Sequence, residues 1–148
     1  MTYTLLLHTH GYNRWLVLVA VAVALIASYR GWLESRAYGR TEALSARTFR
    51  TLLDLQVLLG LALYAVSPVV RAGLGDLGAA MSVKELRFFA VEHITGMVIA
   101  LAFAHVGSAR VRRARTDREK LRQQAIFQTL AAISILVSVP WWRPLLRW

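Results

Sequence analysis

Residues 5–32, 52–70, 88–108 and 125–142 are built mainly from Leu, Val, Ala and Ile, with few charges inside them, and polar segments separate them. Each is close to the ~20 apolar residues that a helix needs to cross a hydrocarbon core. The pattern therefore predicts an all-α membrane protein, a four-transmembrane-helix bundle formed by one domain over residues 1–148. Gly31 and Gly39 mark the end of the first span and its loop, and Ser67-Pro68 closes the second, because proline disfavours helical geometry in the residue before it. The stretch RAGLGDLGAAMSVKE reads as a glycine-rich outer loop, with Ser82 as N-cap of the third helix and Glu85 its capping-box partner. RVRRARTDREKLRQQ reads as a solvated helical extension in which Asp117, Glu119 and Lys120 offer local charge pairs.

Composition supports the membrane class: 57% of the 148 residues are hydrophobic. The chain has no cysteine, which excludes disulfides, thiolate zinc sites, iron-sulfur clusters and covalent haem attachment. A net charge of +10 would suggest nucleic acid in a soluble protein, but here the basic residues lie between the spans. Arg30, Arg36, Arg40, Arg47 and Arg50 flank the first connection, and Arg110, Arg112, Arg113, Arg115, Arg118, Lys120 and Arg122 the third, whereas the second holds only Arg71, Lys84 and Arg87. The positive-inside bias puts the first and third connections in the cytoplasm and both termini outside. The expected surroundings are a lipid bilayer and other membrane subunits, not nucleic acid. No basic residue precedes Arg14 and no small-residue cleavage site follows a short apolar stretch, so no removable signal peptide is expected. Tyr3, Tyr12, Trp15, Trp32, Trp141, Trp142 and Trp148 fall near span ends, where an aromatic belt belongs.

The candidate chemistry lies in four histidines. His10 and His93 each stand five residues inside the outer edge of a span, on the first and third helices, at roughly 7 to 8 Å depth. Two imidazoles level with each other on separate helices are what bis-histidine ligation of a haem requires. His8 is the alternative to His10, since about 200° of helical rotation separates them and both cannot face one iron. Gly96, Met97, Ala100 and Ala104 follow His93 in a narrow stripe of small or flexible side chains that leaves room for a flat macrocycle, and Gly60 offers the same from the second span. Arg14, one turn after His10, and Arg87 and Arg71 from the outer loop are placed to meet propionates, while Glu92 could orient an imidazole. His105 lies about 18 Å along the axis from His93, too far to share its iron, which limits the simple reading to one haem. At that deeper end Asp54, His105 and Tyr29 form a candidate quinone or proton site, with Gln56 at a similar depth; the plainer expectation is an Asp54 contact to Arg50 or Arg30.

The motifs LLHTHGYNRW, QVLLGLALYAVSP, LRFFAVEH and SVPWW resemble small bacterial four-span membrane proteins labelled cytochrome b-like. The resemblance implies a bundle in the bacterial inner membrane, its termini on the periplasmic side, carrying haem b in electron transfer through His10 or His8 and His93. Some members have a histidine in the second span where this chain has Leu55, so no ligand is assigned to that helix. The first alternative is a cofactor-free accessory subunit of a respiratory or photosynthetic complex. A third possibility is a copper or other metal handler using His8, His10, His93 and Met97. A stand-alone enzyme fits less well than an electron-transfer or accessory subunit, because almost nothing lies outside the spans.

Overall fold

The computed structural model describes residues 2–143, so Trp148 lies outside the described residues. Among these residues there is no strand. Helix α1 (Thr2–Leu33) is followed by α2 (Arg40–Val66), two short helices, α3 (Pro68–Gly75) and α4 (Leu77–Ser82), and then one turn, α5 (Lys84–Arg87). A π-helical segment, Phe88–Glu92, leads into α6 (His93–Arg113), and α7 (Asp117–Ser138) completes the order.

Among the described residues three helical stretches are long and apolar enough to cross a membrane: Thr2–Leu33, Arg40–Val66 and Lys84–Arg113. The fourth long helix, α7, has 22 residues. It opens on the charged run DREK, and Gln123, Gln124 and Gln128 dilute its apolar stretch. Two of these glutamines are nevertheless bonded inside the fold: Gln124 donates to the Ser28 hydroxyl at 2.8 Å, and Ser28 donates to Gln128 at 2.9 Å.

The long helices pack antiparallel to their neighbours around one core. In cyclic order they run α1, α2, α6, α7, so that α1 and α6 stand on a diagonal. Val17 and Ala24, Phe49 and Leu53, Met97 and Ala100, and Ala131 and Ile135 meet in the centre, one pair from each helix. The outer faces are apolar too: Leu16, Val19 and Ile26 on α1, Leu58 on α2, and Val98 and Ile99 on α6 are exposed. Where the surroundings are as apolar as leucine, helices are held together by close packing and hydrogen bonds. The α6–α7 seam supplies both: a Cβ on Gly96 would overlap the Ser138 side chain, and one on Gly107 would overlap Phe127.

Several local expectations change. The glycine-rich outer segment is not a loop; Ser67 caps the end of α2 and, through its side chain, starts α3 with Pro68 in the first turn, and Asp76 caps α4. Ser82 does not cap the third helix, because its hydroxyl turns back to the Ala79 carbonyl at 2.7 Å and Val83 takes the cap position. Glu85 instead pairs with Arg143. The basic stretch after α6 is broken rather than continuously helical, since Thr116 starts α7 in a reciprocal capping box with Glu119.

Candidate functional site

At the end of the bundle where α1 and α6 begin, a cavity of about 170 Å³ opens between α1, α2, α3, α6 and α7. His8, His10, Arg14, Gly60, His93 and Met97 all line it. The His10 and His93 rings, from diagonal helices, have centroids 6.2 Å apart and planes inclined by 72°.

Each ring is held by a different helix. The Ser138 carbonyl on α7 lies 2.7 Å from His93 Nδ1. A carbonyl can only accept, so Nδ1 carries the proton and Nε2 keeps its lone pair. Ser138 is therefore the orienting partner, whereas Glu92 is occupied with Arg87 at 2.6 Å. The backbone helps: across the π-helical segment the His93 N–H reaches Phe88 O, a wide turn of a kind frequent at functional sites. Phe88 and Phe89 pack against the imidazole, with centroids at 5.7 and 6.2 Å.

His10 is fixed from α2. The Gln56 amide nitrogen lies 3.1 Å from His10 Nε2 and donates to the His10 carbonyl at 3.1 Å. Asn13 donates to the Gln56 oxygen at 2.8 Å and to Leu52 O at 3.1 Å. His10 Nδ1 is buried with no hydrogen-bond partner among the described residues. Gly60 walls this side closely, since a Cβ there would come within 3.3 Å of His10 Cε1.

Other expected members are placed differently. Gly96 faces Ser138 rather than the cavity, being rotated by about 60° from the direction of His93. Ala100 and Ala104 pack in the core instead. Arg87 binds Glu92 and the Met81 carbonyl, and Arg71 binds the Ala65 carbonyl at 3.2 Å, so neither reaches the cavity. Arg143 does line it, with its guanidinium 4.4 Å from the Phe89 ring centre. Sequence reasoning missed Arg143 because it follows the last apolar span and reaches the site only through the turn after Val139. Gln56 was also misplaced: its side chain points to His10, while Asp54, two residues earlier, points to His105.

Asp54 and His105 meet at 2.7 Å on a half-exposed face between α2 and α6. The expected contact from Asp54 to Arg50 is not formed, since Arg50 donates to Ser108 at 2.7 Å. Tyr29 does not join the pair; its hydroxyl shares a 2.9 Å hydrogen bond with Thr129 in the α1–α7 seam. Leu55 faces outward, 45% exposed.

Among the described residues no group of three His, Cys, Asp or Glu side chains could hold a metal ion. Any metal here needs further ligands that are not protein carboxylates, thiols or imidazoles. Comparisons with protein-family models, with curated proteins and with solved structures each give no match.

Proposed function

We propose that this chain is an integral membrane electron-transfer protein of the b-type cytochrome kind, holding one haem b between His10 and His93. The observation that carries the proposal is the 6.2 Å separation of two imidazoles from diagonal helices. Two rings on opposite sides of one metal, each nitrogen roughly 2 Å from it, have centres roughly 6 to 6.5 Å apart. The donor set fits on one side as it stands: His93 already has the Nδ1 partner typical of a ligating histidine, whereas His10 Nε2 accepts from the Gln56 amide and would have to give up that bond to ligate. Haem bound there supplies a one-electron Fe(III)/Fe(II) couple. The protein's part is to fix the ring orientations and exclude water, with Arg14 and Arg143 lining the cavity and Arg143 held by Glu85. A cavity of about 170 Å³ is of the size that takes a benzene-like ligand, so loading a macrocycle requires the wall to open, including the 2.8 Å hydrogen bond from Tyr64 to the Ala90 carbonyl.

In this proposal α7 is the fourth span. Its exposed face of Ile126, Ile133, Leu136 and Val137 meets lipid while Gln124 and Gln128 stay inside. Both termini lie on the outer side of a bacterial inner membrane, as the arginine-rich connections favour. A proton-linked quinone contact belongs at Asp54 and His105, without Tyr29.

A second reading is favoured by the Gln56 amide, which joins His10 and Asn13 in a closed polar clamp between α1 and α2. Here the histidines are structural, and the chain is a cofactor-free accessory subunit. A reduced-minus-oxidised spectrum of the purified full chain, with metal analysis, separates the readings. The cytochrome reading expects a b-type band that His10→Ala and His93→Ala each abolish and His105→Ala preserves. Copper without haem points to metal handling at the same histidines. A folded protein that takes up neither, even when supplied with haemin, leaves the clamp.

A further inference from the structure

The opposite end of the bundle holds a second cavity, of about 230 Å³, between α2, α6 and α7. Its charged lining is of one sign: Arg47, Arg50 and Arg112, with no aspartate or glutamate among the lining residues. Arg50 Nη1 and Arg112 Nη1, from two different helices, both donate to the single Ser108 hydroxyl oxygen, at 2.7 and 2.8 Å. Two guanidinium groups are thereby drawn to one point, although like charges repel. Among the described residues, none of these three arginines forms an ion pair. Glu42 is engaged in capping its own helix through the Gly39 N–H, and Asp54, one turn after Arg50, pairs with His105. Ser108, having accepted twice, has only its O–H left to give. Tyr38, Gln124 and Gln128 add polar atoms to the wall.

Converging arginines around a space of several water volumes (roughly 30 Å³ each in the liquid) make an environment that an anion completes. Planar guanidinium forks match phosphate oxygens, which accept paired hydrogen bonds. The cavity also lies at the end of the bundle where both arginine-rich connections emerge. In a membrane, such basic pockets between helices take anionic headgroups.

We propose that Arg50 and Arg112, with Arg47 at the rim, form a binding site for a phosphate-bearing anion. The site does not depend on what the histidine end carries. A phospholipid headgroup and free phosphate share the chemistry, and the test distinguishes them. Delipidated full-length protein in neutral detergent is unfolded thermally with added phosphatidylglycerol, phosphatidylcholine or inorganic phosphate. The expected result is a midpoint raised by several degrees with phosphatidylglycerol and unchanged with phosphatidylcholine. The R50Q/R112Q double variant should lose most of that rise, whereas R118Q, an exposed arginine outside the cavity, should keep it. Without ligand the double variant should be at least as stable as the parent, because it relieves repulsion. A structural role for the two arginines would instead make it less stable. A rise with inorganic phosphate alone assigns the site to the free ion. Equal responses to both lipids, no response to any addition, or a full response in the double variant overturns the proposal.

Discussion

The two ends of this bundle have cavities of similar size and opposite character. At the histidine end, imidazoles, a glutamine amide and aromatic rings converge, and the groups that hold His10 and His93 come from neighbouring helices. At the arginine end, cations outnumber their partners and share a single hydroxyl. Helices α2, α6 and α7 line both, so the fold does not choose the chemistry. The choice is made by which polar residues interrupt the apolar run and how far from the connection they sit. A polar group deep between helices must find a partner in the protein, whereas one near a connection can leave its charge for water or a ligand.

The largest expected effect comes from the seam that holds the histidine end together. Gly96→Val puts a methyl-bearing carbon where the Ser138 side chain already is, forcing α6 and α7 apart and pulling Ser138 from His93. Overpacking of this kind costs about 1 to 3 kcal/mol or more. Thermal unfolding in detergent should show a clear loss of stability, together with loss of any His93-dependent spectroscopic signal. Gly11→Ala is the counterpart: a Cβ there meets nothing within 4 Å, and replacing a mid-helix glycine should stabilise by up to about 1 kcal/mol. If the two variants behave alike, the close α6–α7 approach does not hold the histidine end.

A smaller effect distinguishes the ends directly. Gln56→Leu removes both hydrogen bonds donated to His10 and one of the two acceptors of the buried Asn13 amide, which keeps Leu52 O, and should cost about 1 kcal/mol or a little more. Ser108→Ala at the other end removes a hydroxyl between two arginines that can turn to solvent, and should change stability by less than about 0.5 kcal/mol. Equal losses in the two variants would erase the contrast between a satisfied network and an open one.

Much of the helical layout could be read from the apolar runs, because an uninterrupted run of this length has few other solutions. The ends were read less well. Helix α2 begins at Arg40, well before residue 52, since its first turns are polar on the outside and bury little besides Glu42, Phe49 and Leu53. The His10 and His93 pair was legible from matching depths, but its supports were not. Ser138 acts through a backbone carbonyl, which no side-chain pattern reveals, and Gln56 acts across helices whose rotation about their axes is set by packing. The arginines of the basic end were visible only as topological signals. That two of them meet at Ser108 depends on the register of α2 against α6, which a single sequence does not encode in any local pattern.

Tyr38 offers the finest test of the arginine end, because it lines that cavity and donates to the buried Gln124 oxygen at 2.9 Å. Burial raises its phenol pKa above the ordinary value, the charge of Glu42 raises it further, and Arg50 opposes the rise. A group that is harder to ionise in the fold stabilises fully below its unfolded value, near 10, and that contribution is lost as pH climbs through the folded value. The parent protein should therefore lose stability above about pH 10 more steeply than Tyr38→Phe. At neutral pH the variant should be weaker by about 1 kcal/mol, the usual worth of one hydrogen bond. Arg50→Gln removes the opposing charge and should steepen the alkaline loss of the parent, since only Lys120, 5.7 Å from the ring centre, then remains to offset Glu42. Parallel alkaline profiles for the parent and Tyr38→Phe would place the phenol in ordinary solvent and open the basic cavity to water.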